Sequence, residues 1–411
     1  MNIVLINHYA GSREHGMEYR PYYLASEWVK KGHDVTIIAS SFSHVRTFSP
    51  EMNGPLRTDD IDGIKYVWLK TPSYPGNGVK RAINIFSFTW SLYRYLSKLT
   101  ENKIDAFIAS STHPLDMIPA GIIAGKMNAK VIYEVHDLWP LSLIELGGMS
   151  SKHPFILLLQ WAENHAYRKA DIVVSMLPKA KDHMLQHGMD KSKFHYIPNG
   201  INVSEWNSSR SSLPETHSRI LNTIKENGSF MVMYAGAHGI ANALPSLIQA
   251  ANIVKNDPIA FVLVGQGPEK EHLRNLADQL GLRNVIFLPP VDKTSVPELL
   301  SRADALFIGL KKEPLFRFGI SPNKLMDYLM AGKPVIQAID AGNDIVTDSG
   351  SGMTTEPENH NQIADAILQL MRKSIPERED MGLRGREYVL QHHDYRILSE
   401  QFLSILQGPV S

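Results

Sequence analysis

Lys324 and Asp327 lie one helical turn apart in the run GISPNKLMDYLMAGKP, residues 319–334. Ser321-Pro322-Asn323 reads as a helix start, with Ser as the cap and Pro at the first helical position. Leu325, Leu329 and Met330 then recur at helical spacing, and Gly332 and Pro334 stop the helix. A helix N-terminus offers free N–H groups and a positive dipole end, which suit a phosphate. Lys324 adds a cation, and Asp327 can accept hydrogen bonds from sugar hydroxyls. One short element could hold a pyrophosphate and a sugar ring together. The bland alternative is two surface residues on a capped helix.

A second group of candidates sits where apolar runs end. Residues 106–109 lead into Ser110-Ser111-Thr112-His113, and residues 131–135 lead into His136-Asp137. Ligands of open α/β sheets bind at the carboxyl ends of strands. His113, His136 and Asp137 are therefore candidates, although a His-Asp pair there could also be a capped turn.

The elements that would position these residues alternate along the chain. Strands are predicted over 2–7, 35–39, 64–69, 106–109, 131–135 and 171–176, with helices over 21–31, 81–99 and 155–169. After a polar, serine-rich stretch at 204–227 the alternation restarts. Strands are predicted over 230–234, 260–264, 285–288, 305–309 and 335–339, with glycines after the first two. Helices are read over 363–371 and 387–406, interrupted at Gly382 and Gly385. This is an α/β pattern of two doubly wound, parallel-sheet, Rossmann-like domains. The domains are expected at 1–203 and 204–386, with a C-terminal helix, 387–411, free to pack back on the first.

The 411 residues carry 42 basic and 42 acidic side chains, so no overall field favours nucleic acid. With no cysteine, disulfides, thiolate catalysis and Cys-based zinc are excluded. No window reaches the ~18 apolar residues of a spanning helix. Helix 81–99 is apolar and aromatic nearly all round, with Lys80, Arg81, Arg94 and Lys98 at its flanks. It reads either as a buried layer helix or as an interfacial helix on a membrane surface.

The second half resembles, motif by motif, the retaining family-four glycosyltransferases. Val264-Gly265-Gln266-Gly267-Pro268, Leu280-Gly281-Leu282, Ala303-Asp304-Ala305 and Ala331-Gly332-Lys333-Pro334-Val335 stand in that family's order. In the first half Gly32-His33-Asp34-Val35-Thr36 and Ile197-Pro198-Asn199-Gly200-Ile201 are similar too. Residues 7–22, 136–140 and 318–328 resemble a branch that assembles bacterial surface polysaccharide, and within it N-acetyl-L-fucosamine transferases.

The resemblance implies a GT-B fold, two domains facing across a cleft, the first for acceptor and the second for donor. It implies a nucleotide-sugar substrate, a UDP-sugar, with no metal or other cofactor. The implied donor-binding set is Gly236, His238, Gly239, Gly265, Val291, Arg317, Ser321, Asn323, Leu325 and Asp327. His113, Asp137 and Lys324 would be catalytic, and Glu14, Arg20 and His136 would line the acceptor site. The acceptor would be a saccharide on polyprenyl diphosphate, met at the inner face of the cytoplasmic membrane through residues 80–99. The chain departs from the family at Gly319, where an acid would pair with Asp327. Glu313 is the nearest substitute. Two rivals stay open: a sugar-nucleotide 2-epimerase of the same fold, and a non-catalytic subunit of a transferase complex.

Overall fold

The structure of the chain, a computed structural model, describes residues 1–76, 78–98, 103–208 and 211–408. Leu99 of the expected helix 81–99, residues 209–210 of the expected link and the tail 409–411 lie outside the described residues. The chain divides into two units. The first comprises Met1–Asn199, Phe318–Ser321 and Tyr395–Ser411; the second comprises Gly200–Arg317 and Pro322–Asp394.

In the first unit, apolar runs form β1 (Asn2–Ile6), β2 (Asp34–Ser40), β3 (Leu56–Ile61), β4 (Ile64–Leu69), β5 (Ala106–Ala109), β6 (Lys130–Val135), β7 (Ile172–Ser175) and β8 (Phe194–Tyr196). They make an eight-stranded sheet in the order β3-β4-β2-β1-β5-β6-β7-β8. Successive side chains of β1 leave by opposite faces, as strand geometry requires. Val4 and Ile6 pack with Phe88, Leu92 and Met117 on one face. Ile3 and Leu5 pack with Trp28, Tyr395 and Phe402 on the other.

Among the described strands only β3 runs antiparallel to its neighbour. It was not expected from the sequence, because Leu-Arg-Thr-Asp-Asp-Ile is polar and lies at the sheet edge. Its turn carries a readable signal, however. Asp62 and Gly63 both have positive φ, 54° and 78°, the backbone of the two-residue Asp-Gly hairpin.

The second unit has β9 (Phe230–Ala235), β10 (Ile259–Val264), β11 (Val285–Leu288), β12 (Ala305–Gly309), β13 (Val335–Ala338) and β14 (Gly352–Thr355). Its six-stranded sheet has the order β11-β10-β9-β12-β13-β14 and is parallel throughout. In both sheets the order reverses beside the first strand of the unit, which makes a topological switch point there. β14 is a second short edge strand that the sequence did not announce.

The C-terminal helices correct the sequence reading. Gly382 and Gly385 do not interrupt a helix; they lie inside one that runs Ile375–His392. A β-carbon at Gly382 would stand 2.0 Å from the Gly332 carbonyl oxygen, and one at Gly385 would stand 2.7 Å from Ser351 Cβ. These glycines let the helix lie directly on its neighbours. Its start is fixed by a capping box between Ser374 and Glu377. A separate helix, Tyr395–Gln407, packs on the first unit. There Trp28 donates to the Ser399 carbonyl (3.2 Å) and meets Phe402 edge-on (5.4 Å).

Candidate functional site

In the first unit the strand ends gather a buried polar network. His8, just past β1, has Nε2 2.6 Å from Asn84 Oδ1 and Nδ1 2.9 Å from His113 Nε2. Asn84 also donates its amide to the Pro72 carbonyl (2.7 Å), so its oxygen faces His8 and accepts. His8 therefore donates from Nε2 and accepts at Nδ1, which makes His113 the donor from Nε2. The remaining His113 nitrogen, Nδ1, is buried without a partner. His113 is wholly buried, and burial with the nearby Arg81 charge pulls its imidazole down to about 3. It is a neutral ring with one lone pair to offer.

Behind this pair lies a charged one. Arg20 donates from Nε and Nη2 to Glu134 Oε1 (3.1 and 2.9 Å) and also to the carbonyls of Pro198 (2.5 Å) and Ile197 (3.0 Å). Both side chains of the pair are completely buried. Burial alone would raise the Glu134 carboxyl, but Arg20, His136 and Ser110 outweigh it and hold it far below the usual range. Arg20 is thus an internal tie, and its expected place in an acceptor site is corrected. A guanidinium committed to one carboxylate and two carbonyls has nothing left for a ligand.

His136 is held by the same group, with Nε2 2.8 Å from Ser110 Oγ and 3.2 Å from Glu134 Oε2. Asp137 accepts from the Leu138 N–H (2.9 Å), and burial pushes its carboxyl up. Glu14 is exposed on the first loop, away from these contacts in the hydrogen-bond pattern.

Two arginines were missed as site candidates. Arg81 lies over the rings of Tyr9 (5.6 Å) and Trp139 (5.4 Å), so it turns inward instead of flanking an interfacial helix. Arg46 is buried over Trp68 (4.9 Å); it donates to the Ser40 carbonyl (2.5 Å), while its Nε and Nη1 find no partner. Burial lowers its guanidinium to about 10. Only the strand-end position of its loop, after β2, could have pointed to it.

In the second unit the loops after β9 and β10 interlock. His238 donates its N–H to the Gln266 carbonyl (2.9 Å), and its own carbonyl accepts from Glu269 (3.0 Å). A β-carbon on Gly265 would stand 1.9 Å from the Gly236 carbonyl oxygen. These contacts require glycine at 265. At Gly236 the missing side chain leaves room for Lys324, whose Cε would stand 2.6 Å from a β-carbon there. At Gly239 a β-carbon would meet only Asn242, at 3.6 Å, so no close approach is enforced there.

Lys324 threads through that gap. Its Nζ donates to the Tyr234 hydroxyl (2.6 Å) and to Asn242 Oδ1 (3.1 Å), above the Tyr234 ring (4.2 Å). Burial brings it down to about 8. Lys270, from the helix Lys270–Gln279, donates to the carbonyls of Gly265 (2.8 Å) and Leu288 (3.2 Å). His238 is wholly buried, and neither ring nitrogen has a partner. Burial, then Lys270, Lys324 and Arg274, lower its imidazole to about 4. The glycine loops thus enclose a neutral imidazole among cations, a setting that attracts an anion.

The helix bearing Lys324 runs Asn323–Met330, and its cap differs from the expected one. Pro322 is the N-cap residue, with no side-chain hydrogen bond. The Ser321 hydroxyl instead accepts from the Asn199 N–H (2.9 Å) and its carbonyl from Asn199 Nδ2 (3.0 Å), within the first unit. Leu325 is core, 1% exposed, and its N–H is used by Pro322 (3.1 Å). Asn323 is exposed. Arg317 donates to the Pro314 carbonyl (2.6 Å) on its own loop. Asp327 is pushed up to about 7 by burial, near the Lys293–Glu205 ion pair (2.9 Å). Val291 is half-buried in the loop after β11, which His217 steadies through the Pro289 carbonyl (3.0 Å).

Two Rossmann-like parallel-sheet units, the second with Lys270, Lys324 and His238 gathered at its glycine loops, define an α/β protein of the GT-B fold. Residues 15–205 match the Glycosyltransferase Family 4 model, and residues 221–388 match the Glycosyl transferases group 1 model. The chain belongs to these glycosyltransferases. It is 22% identical over 392 residues to WcaI of Escherichia coli K12, named as a colanic acid biosynthesis glycosyl transferase, covering 93% of this chain and 94% of that one. It is 21% identical over 318 residues to the glycosyltransferase WbjE of Pseudomonas aeruginosa, covering 74% and 75%. In fold it is similar to Anabaena Alr3699/HepE in complex with UDP, with TM-score 0.69, 16% identity and 99% of each chain covered. It is also similar to a sucrose-phosphate synthase of Thermosynechococcus elongatus, with TM-score 0.71, 15% identity and 98% of each chain covered.

Proposed function

We propose that the chain is a retaining, metal-independent transferase that moves a sugar from a UDP-sugar to a saccharide on polyprenyl diphosphate, during synthesis of a surface polysaccharide. The carrying observation is the set Lys324, Lys270 and unpartnered His238 between the glycine loops. A diphosphate placed there would gain a charged hydrogen bond from Lys324 and a neutral one from His238. The UDP complex of the Anabaena fold relative and the names of the colanic acid and WbjE relatives support this direction. The sequence resemblance of residues 7–22, 136–140 and 318–328 favours N-acetyl-L-fucosamine or a related N-acetyl sugar.

In the proposed step the acceptor hydroxyl oxygen bonds to the anomeric carbon from the face that the diphosphate leaves. The bond from that carbon to the phosphate oxygen breaks, and this oxygen takes the hydroxyl proton. The residues' share is orientation and stabilisation of the departing charge. Asp327 would hold ribose hydroxyls. His113 would accept a substrate hydroxyl at Nδ1, and Asp137 would orient the acceptor. Arg46 and Arg81 would meet the acceptor's diphosphate, since Arg46 keeps two N–H-bearing nitrogens unpaired.

The acceptor's lipid calls for a membrane surface. Among the described residues no helix is long and apolar enough to cross a membrane. The helix Val79–Leu96 is two-faced: Ile85, Phe88, Leu92 and Leu96 are buried, while Val79, Ile83, Phe86, Trp90 and Tyr93 form one exposed stripe. Leu157 and Trp161 of the helix Pro154–Lys169 are exposed too, and Phe155 touches Phe86 edge-on (6.2 Å). We assign this stripe to the cytoplasmic face of the inner membrane.

Titration calorimetry with UDP, GDP, ADP and TDP, in EDTA and again with Mg²⁺, tests the donor reading. UDP is expected to bind best, equally with and without metal. Lys324→Met should weaken it ~10- to 100-fold, the worth of a charged hydrogen bond, and Asp327→Ala should weaken it by ~1–3 kcal/mol. Equal binding of all diphosphates by wild type and both variants would remove the pocket from the donor site.

A further inference from the structure

Away from both polar clusters, the first unit brings two histidines and a glutamate together. Glu163 lies on the helix Pro154–Lys169, and His183 lies on the helix Lys181–Gln186, with His187 at its C-terminal cap. One ligand atom from each of the three falls within 4.8 Å of the others. The spacing His183, His187 puts both imidazoles on one helix face, and their ring centres are 4.1 Å apart.

We infer that Glu163, His183 and His187 form a binding site for a divalent transition metal, Zn²⁺ in the first instance. Zinc takes nitrogen and carboxylate ligands at about 2.0–2.2 Å, so ligand atoms in a tetrahedral site stand about 3.3 Å from one another. His183 Nε2 and Glu163 Oε1 are already 3.3 Å apart. His187 needs only a small ring movement to join them.

The surroundings favour a cation. Glu163 is 1% exposed. Its described partners are the Tyr167 hydroxyl (3.0 Å), Gln160 Nε2 (2.8 Å) and His183; among the described residues no Lys or Arg pairs with it. A buried carboxylate lacking a fixed cation is costly, and a metal would supply the charge. His187 Nδ1 lies 2.8 Å from the His183 carbonyl. A ring nitrogen that donates to a backbone carbonyl leaves the other as a lone pair, the arrangement usual for metal-bound histidine. Both histidines are partly exposed, which leaves an entry path and room for a water as fourth ligand.

The ion would clamp the two helices and steady a neighbouring segment. The Phe318 ring lies edge-on to His183 (5.5 Å), and Lys179 donates its N–H to the Phe318 carbonyl (2.9 Å). The ligand set lies in the first unit and shares no residue with the proposed donor set, so failure of one reading leaves the other standing.

The chain has 17 histidines, so stoichiometry alone does not identify the site. The full chain, without a histidine tag, is stripped with EDTA, dialysed, and titrated with Zn²⁺ against a chromophoric chelator. The same titration is run on His187→Ala and Glu163→Gln. Wild type is expected to take one equivalent with sub-micromolar affinity, and each variant to bind at least ~100-fold more weakly. Thermal unfolding of wild type should shift upward with Zn²⁺ and that of His187→Ala should not. His187 is partly exposed, so this variant should keep its circular dichroism. Absence of tight binding by wild type overturns the inference, as does equal binding by folded variants; the cluster is then a hydrogen-bonded network alone.

Discussion

A β-carbon on Gly236 would stand 2.6 Å from Cε of Lys324 and 2.9 Å from its Nζ. The glycine and the lysine thus share one volume, and the lysine's position depends on the glycine's lack of a side chain. Gly236→Ala is expected to displace Lys324 from Tyr234 and to lower UDP affinity by ~10-fold, the loss of one charged hydrogen bond. Its φ of 155° adds ~1 kcal/mol of backbone strain in alanine. Calorimetry beside thermal unfolding separates the two effects. Unchanged affinity would show that Lys324 does not need its present path.

Lys324 also sets a pH dependence. Burial lowers it from 10.5 to about 8, so it is charged below that pH and neutral above. A diphosphate favours the charged form. UDP affinity should therefore fall above pH ~8 by up to ~10-fold per unit, while Asp327, near 7, titrates below that range. His238, near 4, stays neutral across this range and does not contribute. Lys324→Met should bind weakly and without the alkaline fall; a fall that persists in the variant assigns the titration elsewhere.

Removing Arg20 leaves Glu134 buried without its cation. Arg20→Met should cost ~3–5 kcal/mol in urea unfolding. Because the Glu134 carboxyl is held below its unfolded value of 4.5, its stabilisation is present above that value and lost as pH falls. Wild type should lose stability on acidification below pH ~4.5, and Arg20→Met should lose less. A variant of normal stability with only a raised acceptor KM would restore Arg20 to the acceptor site.

The exposed aromatic stripe predicts a surface effect without a folding effect. Phe86, Trp90 and Tyr93 are 43%, 64% and 36% exposed. Replacing all three with Ser should reduce co-sedimentation with anionic liposomes several-fold and leave unfolding within ~1 kcal/mol of wild type. Unaltered liposome binding would move the membrane face elsewhere.

Much of this fold is legible because parallel α/β sheets are buried on both faces. Runs such as Asn-Ile-Val-Leu-Ile have no other economical reading. The edge strands β3 and β14 escape for the opposite reason, since half-exposed strands carry little apolar pattern. The helix at Ile375 could have been read from Ser374 and Glu377, but Gly382 and Gly385 masked it; their purpose is close packing, which spacing does not reveal. At the site, strand-end position singled out His113, the family resemblance singled out His238, and helix position singled out Lys324. Arg20 looked like a ligand group because nothing in its neighbourhood in sequence announces Glu134. Arg46 was passed over because its environment is made by Trp68 and Ser40, on other strands.

The first unit is closed by residues that are synthesised after the second. Trp28 and Phe402 share its core, and Arg20 is satisfied by Glu134, by carbonyls at 197 and 198 and by the Asn199 side chain. A ribosome therefore releases the second unit's entire sequence before the first can finish packing. During synthesis the opening residues must wait, with part of an apolar face bare, for the helix Tyr395–Gln407. Losing that helix should injure the first unit rather than the second, which precedes the helix in the chain.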